Sequence, residues 1–187
     1  MKNPDYLTYY FREGQTLFDV LSDKNPKQGE EILKNDVLWR GDGTYLSYRK
    51  AHELKLRQKF IQKGRNPNRK WPIYAILGNS PSSIHSLENE YQYKLIMKLK
   101  DFGLDDVSFT YPDSIYVVPL DDLGKLNLDR NDNPIVYTIN DLSSIIEIYK
   151  VYEHDNHYIE AQIWNDKPLE EYMNNKEIWQ NCIPNNL

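Results

Sequence analysis

The stretch HYIEAQIWNDKPLEEY, residues 157–172, places Glu160 and Gln162 two residues apart in a short run where apolar and polar side chains alternate. Alternation with period two puts both on one face of a strand, together with Tyr158 and Trp164, while Ile159, Ala161 and Ile163 face the core. A carboxylate fixed on such a face can hold a divalent cation or oppose positive charge that develops in a transition state. The carboxamide beside it can orient a ligand, and two aromatic neighbours can shield that ligand from water. The same pattern also suits a half-exposed antiparallel sheet on which Glu160 and Gln162 simply meet solvent.

Other chemistry-bearing residues are sparse. The four histidines are His52, His85, His154 and His157, and the His154-Asp155-His157 cluster reads as a solvated loop rather than a zinc site. No Gly-rich phosphate loop, G-x-S-x-G elbow or dinucleotide fingerprint is present. The single cysteine, Cys182, lies five residues from the C-terminus, which excludes an intrachain disulfide and suits a reducing, cytoplasmic location. No apolar run is long enough to span a bilayer, and MKNPDYLTYYF does not read as a signal peptide, so no membrane partner is expected.

Charge is unevenly spread. The chain carries −5 overall, yet Arg49, Lys50, Lys55, Arg57, Lys59, Lys63, Arg65, Arg69 and Lys70 face a single acid, Glu53, within 22 residues. Such a segment on an acidic protein predicts a phosphate-bearing partner, a nucleotide or a nucleic acid, met by residues 49–70 with Lys55, Lys59, Lys63 and Arg65 as contacts. A solvated helix with charges on several faces explains the same run, because Leu54, Leu56, Phe60 and Ile61 form no single stripe. The 15 tyrosines suit a binding surface, although A/T-rich codon usage accounts for them equally well.

The elements that must position these residues read as α+β: a single domain, residues 1–187, with a mostly antiparallel, twisted sheet of about five to seven strands and flanking helices. YLTYYF (6–11) suits a strand ended by Glu13-Gly14. Pro26 suits the first turn of a helix, and a longer helix runs from about Thr44 to Lys63, closed by Gly64. WPIYAIL (71–77) reads as a buried strand that ends at Gly78-Asn79-Ser80-Pro81. In YQYKLIMKL (91–99), Tyr91, Tyr93, Leu95, Met97 and Leu99 point one way and Gln92, Lys94 and Lys98 the other. VSFTY (107–111), IYVV (115–118) and IVYT (135–138) complete the strand candidates. A helix capped by Thr138 or Asn140 packs through Leu142, Ile145, Ile146 and Tyr149. A last helix starts near Pro168 and packs through Leu169, Tyr172 and Met173. Trp39, Trp71, Trp164 and Trp179 read as core or rim.

DDVSFTYPDS (105–114) together with YIEAQIWND (158–166) resembles a family of small uncharacterised bacterial proteins over nearly the whole chain. More remotely, the layout resembles ADP-ribosyltransferase-like domains, which have an aromatic or histidine on the first strand, small hydroxyl residues on a central strand, and a late strand reading Glu-x-Gln before a turn. That resemblance implies NAD as the cofactor that is consumed, and an acceptor on nucleic acid or protein. It implies Glu160 as the catalytic carboxylate, Gln162, Ser108 and Thr110 as ligand-binding neighbours, Tyr9 or Tyr10 as the first-strand aromatic, and Arg49 near the pyrophosphate. The first strand departs from the pattern, since Tyr9, Tyr10 and Arg12 replace the expected histidine or arginine. Pro112-Asp113 with Glu160-Ala161-Gln162 is also similar to the layout of restriction-type nucleases, although Gln162 stands where their lysine is expected. A non-catalytic nucleic-acid-binding or protein-binding module, regulatory or for immunity, is the remaining alternative.

Overall fold

The computed structural model of the chain describes residues 3–34, 45–79, 91, 93–111, 114, 135–149, 158–174 and 183–184. Five strands of four to six residues and a two-residue edge strand form one antiparallel sheet. The strands are β1 (Tyr6–Phe11), β2 (Ile73–Leu77), β3 (Tyr93–Lys98), β4 (Val107–Thr110), β5 (Glu160–Ile163) and β6 (Ile183–Pro184), in the spatial order β4-β5-β2-β1-β3-β6. The helices are α1 (Pro26–Lys34), α2 (Tyr45–Gln62), α3 (Leu142–Tyr149) and α4 (Lys167–Asn174). This is an α+β architecture with one open sheet.

Local chemistry sets the boundaries. Asn25 Oδ1 accepts the Gln28 N–H at 3.0 Å and starts α1, with Pro26 supplying a fixed φ in the first turn. At the end of α2, Gly64 takes φ +76°, a conformation that side chains with a Cβ disfavour, and Arg65 N–H turns back to the Phe60 carbonyl at 3.4 Å. Gly78 at φ +76° ends β2 in the same manner. Asp141 accepts from the Thr138 N–H at 2.8 Å and the Thr138 hydroxyl at 2.9 Å, which fixes the short 3-10 turn that leads into α3. Of the two cap candidates, Thr138 is the one used.

One face of the sheet carries the main core: Leu7, Tyr9 and Phe11 on β1, Ile73, Ala75 and Leu77 on β2, Leu95 and Met97 on β3, Val107 and Phe109 on β4, and Ala161 and Ile163 on β5. Leu142, Ile145, Leu169 and Tyr172 of α3 and α4 complete it. Met173, expected to share that packing, is 41% exposed instead, since only Leu169 and Tyr172 fall on the inner side of so short a helix. IVYT contributes one bridge, Tyr137 with Phe109, and no strand. The IYVV segment, Asp113, Trp39, Trp179, Cys182, His85, His154 and His157 lie outside the described residues.

The sheet is not uniformly joined. Strand β1 pairs with β3 along its whole length, from Tyr6↔Lys98 to Phe11↔Tyr93, but with β2 only at Leu7↔Leu77 and Thr8↔Ile76. Beyond Thr8 no further β1–β2 pair forms, so the pairing divides the sheet into a half made of β4, β5 and β2 and a half made of β1, β3 and β6. The second face of the first half is covered by α2.

Candidate functional site

Register brings the polar residues of the second face into two rows. Thr110, Glu160, Ile76 and Thr8 lie side by side across β4, β5, β2 and β1, and Ser108, Gln162 and Tyr74 form the next row. Glu160 therefore sits beside Ile76, the last β2 residue still paired to β1, and the Gln162–Tyr74 row begins where that pairing is lost. The motifs SFT and EAQ are thus neighbouring strands of one unit. Their flanks are tied as well: Asn165 Nδ2 donates to the Asp105 carbonyl at 3.1 Å and to Asp106 Oδ1 at 2.7 Å.

This face is buried. Gln162 and Ser108 are fully buried, Thr110 is 3% exposed and Glu160 is 6% exposed. The solvent-facing reading of Glu160 and Gln162 is therefore overturned, because α2 lies over the strand face that alternation leaves polar. Buried polar groups require partners, and these residues supply them to one another. Gln162 Nε2 donates to Glu160 Oε1 at 2.7 Å and to Thr110 Oγ1 at 2.9 Å. Ser108 Oγ donates to Gln162 Oε1 at 2.9 Å and accepts from Trp164 Nε1 at 2.8 Å.

The cover is itself half polar. Arg49, Glu53, Leu56 and Phe60 fall at helical spacing and make one inward stripe on α2. Leu56 and Phe60 cluster with Trp164 and Val136, and the Phe60 and Trp164 rings stack at 6.2 Å. Leu54 and Ile61 point outward, 40% and 43% exposed, which is why the apolar residues of this helix show no stripe of their own. In the polar half, Arg49 Nε donates to Glu53 Oε1 at 2.8 Å, and the guanidinium lies 4.8 Å from the centre of the Tyr74 ring. Glu53 is fully buried, and its carboxylate faces the Tyr74 phenol as well as Arg49. Burial, then the charges of Glu53 and Glu160, push the Tyr74 phenol well above its usual range, with Arg49 opposing the shift. For Arg49, burial works against the charge, but Tyr74, Tyr45 and Glu53 outweigh it and the guanidinium is held protonated.

The structure separates some residues that the sequence groups with Glu160. Tyr9 is on the opposite face: its hydroxyl accepts the Phe18 N–H at 3.1 Å, and its ring packs on Phe18 in the main core. Strand alternation sends Tyr9 away from Glu160 and leaves Tyr10, on the Thr8 side, as the first-strand aromatic that shares its face. Arg49 does reach that face, where its Nε donates to Glu53 and its Nη1 to Tyr45. Much of the basic segment is used internally as well. Arg57 donates to the carbonyls of Pro67 and Arg69 at 2.9 and 3.0 Å, and Lys50 donates to the Lys24 carbonyl at 2.9 Å. Arg69 bonds Asp166 and Asp23, and Lys63 pairs with Asp141 at 3.4 Å. Arg65 is half-buried behind the helix end. Lys55, exposed, and Lys59, half-buried, have no ion pair among the described residues.

Glu53 and Tyr74 join the cluster without having been singled out for it. Glu53 stands out in sequence only as the lone acid of a basic run, but its i,i+4 spacing from Arg49 is a legible pairing signal. Tyr74 hides inside an apolar strand. No group of three or more His, Cys, Asp or Glu side chains is arranged to hold a metal ion among the described residues. A depression of about 350 Å³ lined by Phe11, Arg12, Glu13, Gly14, Gln15, Thr16 and Tyr93 lies at the far end of β1 and β3 and includes none of the cluster. No helix of the described residues is long and apolar enough to cross a membrane. No protein-family model, curated protein sequence or solved structure matches the chain.

Proposed function

We propose that the chain is an ADP-ribosyltransferase-like enzyme that cleaves NAD at the nicotinamide glycosidic bond, with Glu160 as its working carboxylate. The observation that carries the reading is the placement of Glu160: a carboxylate clamped by Gln162 at 2.7 Å, in the row of the last β1–β2 pair, where the two halves of the sheet part.

The chemistry asks little else of the protein. The bond between ribose C1′ and the nicotinamide nitrogen breaks, its electron pair leaves with nicotinamide, and positive charge develops on C1′ and the ring oxygen. A fixed carboxylate opposes that charge without having to reorganise. An acceptor lone pair then forms the new bond to C1′, and the acceptor gives up its proton. Buried surroundings strengthen this interaction relative to water.

The acceptor side favours nucleic acid, because Lys55 and Lys59 of α2 have no ion pair among the described residues and can meet phosphates. Incubation with NAD labelled in the adenylate half, together with mixed cellular nucleic acids and proteins, tests the proposal. Label transferred by the wild type and absent with Glu160→Gln supports it. Transfer to neither, or equal transfer by both, removes Glu160 from the chemistry. Magnesium-dependent DNA cleavage that is lost with Glu160→Gln would support the nuclease alternative instead.

A further inference from the structure

We infer that Trp164, Ser108 and Gln162 form a one-way hydrogen-bond relay that positions the Glu160 carboxylate and keeps its Oε1 an acceptor; the functional meaning of this relay rests on the reading of Glu160 given above. The direction follows from donor chemistry. An indole N–H can only donate, and Trp164 Nε1 stands 2.8 Å from Ser108 Oγ, so the serine oxygen accepts there. The one hydroxyl hydrogen is then left for Gln162 Oε1 at 2.9 Å. That fixes which end of the amide faces Ser108. The other end carries two hydrogens, and two acceptors meet them, Thr110 Oγ1 at 2.9 Å and Glu160 Oε1 at 2.7 Å.

The reversed amide fails on the same inventory. It would set Gln162 Oε1 against Glu160 Oε1 at 2.7 Å with no hydrogen between them unless Glu160 were protonated. It would also aim an amide hydrogen at Ser108 Oγ and take away the Gln162 acceptor of the serine hydroxyl hydrogen. Orientation of a glutamine amide is a matter of its network, and here the network begins at a group that cannot be reversed. The origin is held firmly: Phe60 stacks on the Trp164 ring, the Trp164 N–H donates to the Asp106 carbonyl at 2.7 Å, and its carbonyl accepts the Arg69 N–H at 2.7 Å. Trp164, Ser108 and Gln162 are positioning residues, since they act on a substrate only through Glu160. The other charged or titratable groups on or against this face include Tyr74 on β2, Tyr10 on β1, Tyr158 before β5, and Arg49, Glu53 and Tyr45 of α2.

Nuclear magnetic resonance on the full chain, labelled with 13C and 15N and without NAD, tests the relay directly. In the wild type, the Gln162 side-chain amide hydrogens should show stronger cross-relaxation to the Thr110 methyl than to the Ser108 β-hydrogens; the opposite ranking overturns the proposal. The Glu160 carboxyl carbon, followed against pH, should titrate at a higher midpoint in Ser108→Ala and in Gln162→Leu, because a donor to the ionised form is lost or loosened. Trp164→Phe should shift it in the same direction by less. Identical midpoints in all four proteins would contradict the relay. The wild-type measurement needs no variant to fold. Because no substrate is present, failure here leaves nicotinamide release as an open result, and absence of nicotinamide release leaves the amide orientation standing.

Discussion

Over the half of the sheet made of β4, β5 and β2, both faces are buried, but by different means. On one, Ile73, Phe109, Ala161 and Ile163 meet each other and the apolar sides of α3 and α4. On the other, Glu160, Gln162, Ser108 and Thr110 satisfy one another under a helix that brings Arg49 and Glu53 at one end and Leu56 and Phe60 at the other. The first face gains stability from area removed from water, which is non-directional and tolerant of detail. The second must match every donor to an acceptor, and it gains a defined geometry rather than much stability. A sheet that needed only stability would have two faces of the first kind.

The largest effect expected on this contrast comes from Phe109→Ala on the apolar face, which should lower the unfolding free energy by about 3–5 kcal/mol through lost burial and an unfilled cavity. Urea denaturation followed by far-UV circular dichroism measures it. Next comes the polar face. Arg49→Met leaves the fully buried Glu53 carboxylate without its cation and should cost about 3 kcal/mol or more, most of it recovered when Glu53→Gln is added in the same chain. If the double variant is no more stable than Arg49→Met alone, the pair does not act as a unit. Gln162→Leu, which fills the space but strands the Ser108 and Thr110 hydroxyls, should cost about 1–3 kcal/mol.

Raised phenols give both faces a shared alkaline weakness. Burial pushes Tyr9 up to about 12 from its ordinary value near 10, and Tyr74 is raised well above the same value. A group raised in the fold contributes stability that is complete below its unfolded value and is lost as pH rises toward the folded one. Stability should therefore fall between about pH 10 and pH 12, and Tyr9→Phe should flatten part of that fall. The smallest effect belongs to the unpaired lysines of α2, where Lys55→Glu with Lys59→Glu should change stability by less than about 0.5 kcal/mol. The same pair should weaken nucleic-acid binding irrespective of sequence and reduce its salt slope by about two.

How far the sequence reveals this arrangement differs between the two faces. Tyr6–Phe11 as a strand, Gly64 as the end of α2, Pro26 in the first turn of α1 and the inward Ile159, Ala161 and Ile163 all follow from local chemistry and period. The burial of Glu160 and Gln162 does not, because period two says which residues share a face and nothing about what covers it. The covering helix conceals its role, since its inward stripe mixes Arg49 and Glu53 with Leu56 and Phe60 while Leu54 and Ile61 point outward. Tyr9 shows the same limit in reverse: YLTYYF marks Tyr9 and Tyr10 as opposite-facing, but only the register with β2 and β5 shows that Tyr10 is on the Glu160 side. The basic run from Arg49 to Lys70 likewise names charges without partners, and carbonyls of Pro67, Arg69 and Lys24 claim Arg57 and Lys50.

Release of nicotinamide from NAD, compared between the wild type and Glu160→Gln, tests the central claim most directly. The glutamine can still accept from Gln162, so the variant should unfold within about 1.5 kcal/mol of the wild type. At matched folded concentration, the wild type should release nicotinamide and the variant should have lost at least about 100-fold of that rate, as expected when charge stabilisation of the transition state is removed. A wild-type rate no greater than that of buffer, or a variant as active as the wild type, would contradict the account and leave Glu160 as one member of a buried structural network.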